Sequence, residues 1–308
     1  MIQSELKIRG ADKIVDKCPK CGKKFIVDNI PRRPATCYND CIVKCKDCKI
    51  GISNNPNKPT IIYDNYLDNI PNELHYKLDY ILSNSLNKVS RKQKIKRIGF
   101  STSEDALSWI FFSYFLKENK EQNLLELFNI DEKKVIDIYF WGCGYYNKDL
   151  SGKLKTILKE VFHEDKNKFS EPDVIMETEN KMIFIEVKYQ SINANKCNKE
   201  EIEKYLISDY YKDIYLARNS EYYELIRNWS IGNKLSGEKE FYLFNIGLKN
   251  NFSKENLDDK YNYFINSLKN ESRFKRFYWE GLIDDLKMKD IDSWYINEMC
   301  KRIYSKCV

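Results

Sequence analysis

Histidine is almost missing from this sequence: its 308 residues include only His75 and His163. A histidine-rich metal centre is excluded, and a Ser-His-Asp or Cys-His hydrolase would hang on one of two side chains. Glycine and proline are scarce, at 11 and 7 residues, which excludes a collagen-like or low-complexity chain. Long apolar runs are missing too. The longest, Ile110 to Leu116, falls far short of the roughly 20 residues of a spanning helix. The opening Met1-Ile-Gln-Ser-Glu-Leu-Lys7 has no export-signal core. The expectation is a soluble, cytoplasmic protein with no membrane partner. What is present is enough to build a core: 42% hydrophobic and 14% aromatic residues, against 32% charged. At roughly 150 residues per domain, the length allows about two domains.

The net charge of +6 is unevenly placed. Residues 17–50 carry nine basic side chains, including Arg32 and Arg33, against Asp28, Asp40 and Asp47. Residues 88–97 carry Lys88, Arg91, Lys92, Lys94, Lys96 and Arg97 with no acid. Each stretch is therefore +6, and the rest of the chain is net negative. Lysine outnumbers arginine 42 to 10, as AT-rich coding would give. Base composition explains the choice of lysine but not its clustering, and two basic patches suit a polyanion such as nucleic acid.

Six of the ten cysteines fall within residues 18–48. In a cytoplasmic chain that density reads as a metal site and not as disulfides. Cys18-Pro-Lys-Cys21 and Cys45-Lys-Asp-Cys48 are two knuckles, and each can present two thiolates to one tetrahedral Zn²⁺. The pattern resembles a zinc ribbon. Cys37 and Cys41 remain open, either as substitute ligands or as packing residues. Gly51 to Pro59 reads as a linker, which sets the expected domains at 1–60 (zinc module and linker) and 61–308. Zinc here staples a segment too small to bury its own core, or it shapes a module that contacts DNA.

Beyond the linker, apolar spacing predicts helices over 72–84 and 101–116, the latter opened by the capping box Ser101-x-x-Glu104. Then follow a strand over 135–141, a helix over 150–162, strands over 173–178 and 182–189, helices over 199–211 and 221–229, and a strand over 240–246. The tail reads as helices near 254–268 and 291–305 with a strand at 274–279. This alternation argues for an α/β fold with a mixed central sheet flanked by helices. Gly142-Cys-Gly144 lacks the third glycine of a phosphate loop.

The chemistry concentrates in Pro172-Asp173 and Glu186-Val187-Lys188. A turn at Glu179-Asn180, with Asn tolerating positive φ, sets Asp173 opposite Glu186, Ile175 opposite Phe184 and Glu171 opposite Lys188. Alternation puts Asp173, Glu186 and Lys188 on one face, with Glu171 and Gln190 near them, and an apolar set on the other. Opposed carboxylates about 5 Å apart repel unless compensated. Mg²⁺, held by one or two carboxylates plus water and phosphate oxygens, would compensate them. Lys188 would then stabilise developing negative charge at the same spot.

These residues resemble the signature of the PD-(D/E)XK nuclease superfamily. The resemblance is tight over about 20 residues and loose over 101–247. It implies a restriction-endonuclease-like core of order αβββαβ and a Mg²⁺-dependent DNA endonuclease acting in restriction or other antiviral defence. It further implies Mg²⁺ on Asp173, Glu186 and the Val187 carbonyl, a water positioned by Lys188, and a further acid, Glu104, from the first core helix. A Gln-x-x-x-Tyr motif found in some subfamilies has no clean match in residues 203–211. Lys88, Arg91, Lys92, Lys94, Lys96, Arg97, Arg32 and Arg33 would grip the phosphates of double-stranded DNA. Cutting both strands takes two sites, hence an expected homodimer. Two alternatives stand beside this: a non-catalytic zinc-ribbon nucleic-acid binder on a degenerate nuclease fold, and a repair-type nuclease acting on DNA ends or RNA.

Overall fold

The structure, a computed structural model, describes residues 17–25, 35–53, 60–146, 148–165, 169–193, 199–255 and 259–304. Arg32, Arg33, Cys197, Cys307 and most of the expected linker lie outside them. The protein is α/β, with a mixed central sheet flanked by helices and a small three-stranded sheet beside a four-cysteine cluster. The chain divides into two compact units, residues 1–76, 92–110 and 292–308, and residues 77–91 and 111–291. Among the described residues no helix is long and apolar enough to cross a membrane.

Among the described residues the strands are β1 (Val43–Cys45), β2 (Ile50–Ile52), β3 (Ile61–Tyr63), β4 (Val135–Phe140), β5 (Cys143–Gly144), β6 (Val174–Thr178), β7 (Lys181–Val187), β8 (Glu240–Gly247) and β9 (Phe274–Tyr278). The helices begin with α1 (Leu78–Asn84), α2 (Arg91–Ile98), α3 (Glu104–Lys117), α4 (Glu121–Leu127), α5 (Ser151–Glu160) and α6 (Lys199–Glu203). They continue with α7 (Ile214–Asn219), α8 (Tyr223–Ser236), α9 (Lys249–Glu255), α10 (Asp259–Ser267), α11 (Trp279–Lys287) and α12 (Ser293–Tyr304).

In the first unit, β1, β2 and β3 form an antiparallel sheet. The sheet extends through Tyr63, and Gly51, expected to begin a linker, sits in the middle of β2. A Cβ there would fall 2.6 Å from Cys41 Sγ, so the strand admits only glycine at that close approach. The helix expected over 72–84 is broken: a 3₁₀ turn at Asn72–Leu74 precedes α1, with Lys77 between them at φ 63°. The expected capping box does not form either. Ser101 Oγ accepts from Ile61 N–H, while Ser103 Oγ accepts from Ala106 N–H and caps α3. The C-terminal helix α12 belongs to this unit, where Arg302 donates to the Asn69 carbonyl at 2.6 Å.

In the second unit six strands lie in the order β5-β4-β6-β7-β8-β9. The first three junctions are antiparallel and the last two parallel. β6 and β7 pair as the alternation predicts, Val174 with Ile185 and Ile175 with Phe184. Their turn at Glu179-Asn180 needs no positive φ; Thr178 Oγ1 accepts from Lys181 N–H instead. One face of the sheet, carrying Ile175, Phe184 and Leu243, packs under α5 and α8 with Leu154, Leu158, Ile226 and Trp229. The other face is aromatic: Phe244 lies 5.6 Å from Phe128 and 5.0 Å from Phe277, and Phe111 lies 5.1 Å from Trp279, ring centre to ring centre.

The link from β7 to β8 departs from the expected helix over 199–211. α6 stops at Glu203, and Asp213 accepts from Leu216 N–H to cap a new helix, α7. The helix that covers the sheet is α8, longer than the expected 221–229. The expected helix near 254–268 is likewise two elements, α9 and α10.

Candidate functional site

The open end of the β6–β7 hairpin gathers Asp173, Glu186 and Lys188. The register that pairs Val174 with Ile185 sets Asp173 across from Glu186. The Val187 N–H donates to Asp173 Oδ2 at 2.9 Å. Glu186 follows four apolar residues on a central strand and is 3% exposed. An unpaired carboxylate at that depth would be costly, and this one is paired. Lys188 Nζ, on a residue 4% exposed, donates to Glu186 Oε1 at 2.6 Å. Asn228 Nδ2 donates to Glu186 Oε2 at 2.7 Å.

Lys188 makes a second ion pair, to Glu224 Oε2 at 2.6 Å. Glu224 and Asn228 stand four residues apart on α8, so one helix face delivers both to the strand end. Between them Arg227 reinforces both carboxylates; burial opposes its charge, and Glu186 and Glu224 outweigh burial. When all are ionised, Asp173, Glu186 and Glu224 against Lys188 and Arg227 leave the cluster one net negative charge. Burial pushes the Glu186 carboxyl above its ordinary 4.5, and Glu224 adds to the rise. Burial pushes Glu224 the same way, but Lys188 and Arg227 outweigh it and hold Glu224 lower.

Sequence reasoning missed Glu224, Arg227 and Asn228. Their signal was present, since polar residues interrupt an otherwise apolar helix, but nothing local says which strand residue they meet. Glu171 turns to the Asn87 N–H. Gln190 is half-buried, its Oε1 without a hydrogen-bond partner among the described residues. Glu104 opens α3 in the first unit, where Ser108 donates to its carbonyl.

Of the expected phosphate-gripping residues, Lys88, Lys92, Lys96 and Arg97 are exposed. Arg91 is half-buried, with Nε and Nη2 lacking hydrogen-bond partners. Lys94 is drawn into a pair with Asp105 at 3.2 Å.

The Cys18, Cys21, Cys45 and Cys48 sulfurs all lie within 4.8 Å of one another. A tetrahedral zinc with bonds of about 2.3 Å separates its sulfurs by about 3.8 Å, and Cys21 and Cys45 stand 3.7 Å apart. The donor set fits structural Zn²⁺. Gly22, at φ 72°, turns the first knuckle, and Lys23 reaches Asp47 on the second at 2.8 Å. Cys41 is spent on packing: it lies with Tyr38 and Ile62 in a separate small core, and burial pushes its thiol up to about 12. Among the described residues the four cysteines are the only cluster with three or more metal-ligand groups in reach of one another.

No family model matches this chain, and no curated protein or solved structure matches it.

Proposed function

We propose that this protein is a Mg²⁺-dependent DNA endonuclease of the PD-(D/E)XK type, serving restriction or other antiviral defence. One observation carries the reading: a buried Glu186–Lys188 pair at the end of a central strand, directly across from Asp173. Buried ion pairs contribute little net stability compared with apolar residues of the same shape, so a fold that keeps one at a strand end, flanked by Glu224 and Asn228, has reason to look functional. The order of α3, β4, the β6–β7 hairpin, α8 and parallel β8 supports the restriction-endonuclease-like core.

Asp173, Glu186 and the Val187 carbonyl would hold Mg²⁺. The cluster's net negative charge and hard oxygen donors fit that ion, which needs only one or two carboxylates beside water and phosphate oxygens. Bound there, Mg²⁺ supplies charge neutralisation of the phosphate and a more acidic water. Lys188 places its ammonium where an attacking oxygen and a five-coordinate phosphate develop negative charge. Glu224 holds Lys188 while Glu186 turns to its ligand role. Asn228 fixes the Glu186 carboxylate plane. The zinc module and the exposed Lys92, Lys96 and Arg97 grip phosphates, and paired cuts in duplex DNA require two copies of the chain.

A second reading, a binder without catalysis, is favoured by one observation: both Glu186 oxygens already have partners in Lys188 and Asn228. Closed circular DNA, linear DNA and RNA, each incubated with Mg²⁺, separate the readings. The endonuclease opens the circle; an end-acting enzyme degrades only linear DNA; a ribonuclease cuts RNA; a binder shifts all three intact.

A further inference from the structure

A cleft of about 300 Å³ opens beside the β4–β5 turn in the second unit. Its walls bring together Lys148 and Lys155 with Lys88, which comes from far earlier in the sequence. The turn itself, Trp141-Gly142, has φ of 50° and 84°, the mirror-type geometry that a two-residue hairpin loop requires. Leu86 N–H donates to the Trp141 carbonyl and fixes the segment that carries Lys88. The buried Asp137 carboxylate accepts from the Tyr146 and Lys148 N–H groups and fixes the loop that carries Lys148. Lys155 projects from the second turn of α5.

None of the three ammonium groups has an ion pair or hydrogen bond among the described residues, though Lys155 lies near enough to Asp149 to help hold its carboxyl low. Other lysines of the same unit are matched, Lys181 to Glu132, Lys239 to Glu177 and Lys289 to Glu126 among them. The one acid on the wall, Asp149, already accepts from Ser151 N–H, Ser151 Oγ and Gly152 N–H, and the Ser151 bond keeps it ionised. It also occupies the first-turn N–H groups of α5, so attraction for an anion rests on the lysines. The cleft carries a net charge of two positive units. Three like charges converging on one hollow are unfavourable until an anion sits between them.

The position says which anion. Trp141 N–H donates to the carbonyl of Asp173, the residue just before β6, so the turn stands one strand spacing, about 4.8 Å, from Asp173. α5 packs on the sheet face that carries Glu186. Asn87 ties the Lys88 segment to Phe169 and Glu171, just ahead of Asp173. The exposed ring of Tyr80 forms part of the wall, a surface on which a sugar or base can stack.

We propose that this cleft seats a backbone phosphate of the nucleic-acid strand next to the one that is cut; the assignment of the neighbouring cut rests on the nuclease reading above, the seat itself on the cleft. The test uses full-length protein carrying Glu186→Gln, so that binding is measured without cleavage, and a fluorescein-labelled oligonucleotide followed by anisotropy across a salt series. Adding Lys88→Ala, Lys148→Ala and Lys155→Ala together should weaken binding at least about tenfold and flatten the slope of log K against log salt by about 1. Lys254→Ala with Lys269→Ala, both exposed and outside the cleft, should leave both readouts unchanged. Unchanged affinity and slope in the triple variant, or no oligonucleotide binding by the parent, overturns the seat. Competition by a mononucleotide or inorganic phosphate with affinity equal to the oligonucleotide overturns its assignment to a strand. Loss of binding in the triple variant alongside an uncut substrate for wild type upholds the seat and removes only the nuclease reading.

Discussion

Glu224 on α8 meets Lys188, 36 residues earlier in the chain, at 2.6 Å, and so shares with Glu186 a single buried ammonium. Truncating one member of such a group leaves the others undercompensated. Breaking a fully buried pair costs about 3–5 kcal/mol. The Glu224 side chain is 25% exposed, so water recovers part of that, and Glu224→Ala is expected to cost about 1–3 kcal/mol in denaturant unfolding. Cleavage should fall by about tenfold or more, because Lys188 would then lean wholly on Glu186. Glu224→Gln, which keeps the shape, should recover most of the stability and less of the rate.

The raised Glu186 carboxyl gives a pH dependence of definite sign. Above the unfolded value of 4.5 the native state still holds a proton that the unfolded chain has released. Stability then falls as pH rises through that window, up to the folded value. Thermal melts of wild type and Glu186→Gln, from about pH 4.5 to about pH 8, isolate the effect. Wild-type stability relative to Glu186→Gln should decline as pH rises. Glu224, held low, works with opposite sign: the stability it contributes is present above 4.5 and is lost as pH falls through its folded value.

Metal content separates the cysteines. Wild-type protein, Cys37→Ser and Cys41→Ala should each carry one zinc per chain by elemental analysis. Cys45→Ser should lose it. Cys41→Ala should cost about 1–2 kcal/mol through lost packing against Tyr38, with zinc retained.

Gly232 tests the seat of α8. A Cβ at that position would lie 1.9 Å from the Phe241 ring. Alanine gains about 1 kcal/mol in helix propensity over glycine, whereas overpacking costs about 1–3 kcal/mol. Phe241 is wedged between Phe184 and Trp229, with ring centres 5.4 and 5.5 Å away, so it has nowhere to turn and the clash wins. Gly232→Ala should lower the melting temperature by several degrees. It should also slow cleavage, because α8 carries Glu224 and Asn228.

The hairpin was legible in the sequence because a strand's period is strict: Val174 against Ile185 follows from the alternation and a two-residue turn. The knuckles were legible because four thiolates at that spacing have few other uses, and the structure leaves Cys41 outside them. Glu224 and Asn228 were not, because a helix pattern names a buried face without naming the strand under it. The break between α6 and α7 depends on Asp213 capping Leu216, a local bond that competes with continued helix. The place of α12 was hidden for a different reason: Arg302 meets the Asn69 carbonyl 233 residues away, and no periodicity reports a contact of that range.

The most direct test is nicking of supercoiled plasmid by purified protein with Mg²⁺, run beside Lys188→Ala. Open circles or linear DNA from wild type, with Lys188→Ala at least about a hundredfold slower, are expected. Intact plasmid with both proteins, or equal cutting by both, would contradict the hydrolytic role assigned to Asp173, Glu186 and Lys188.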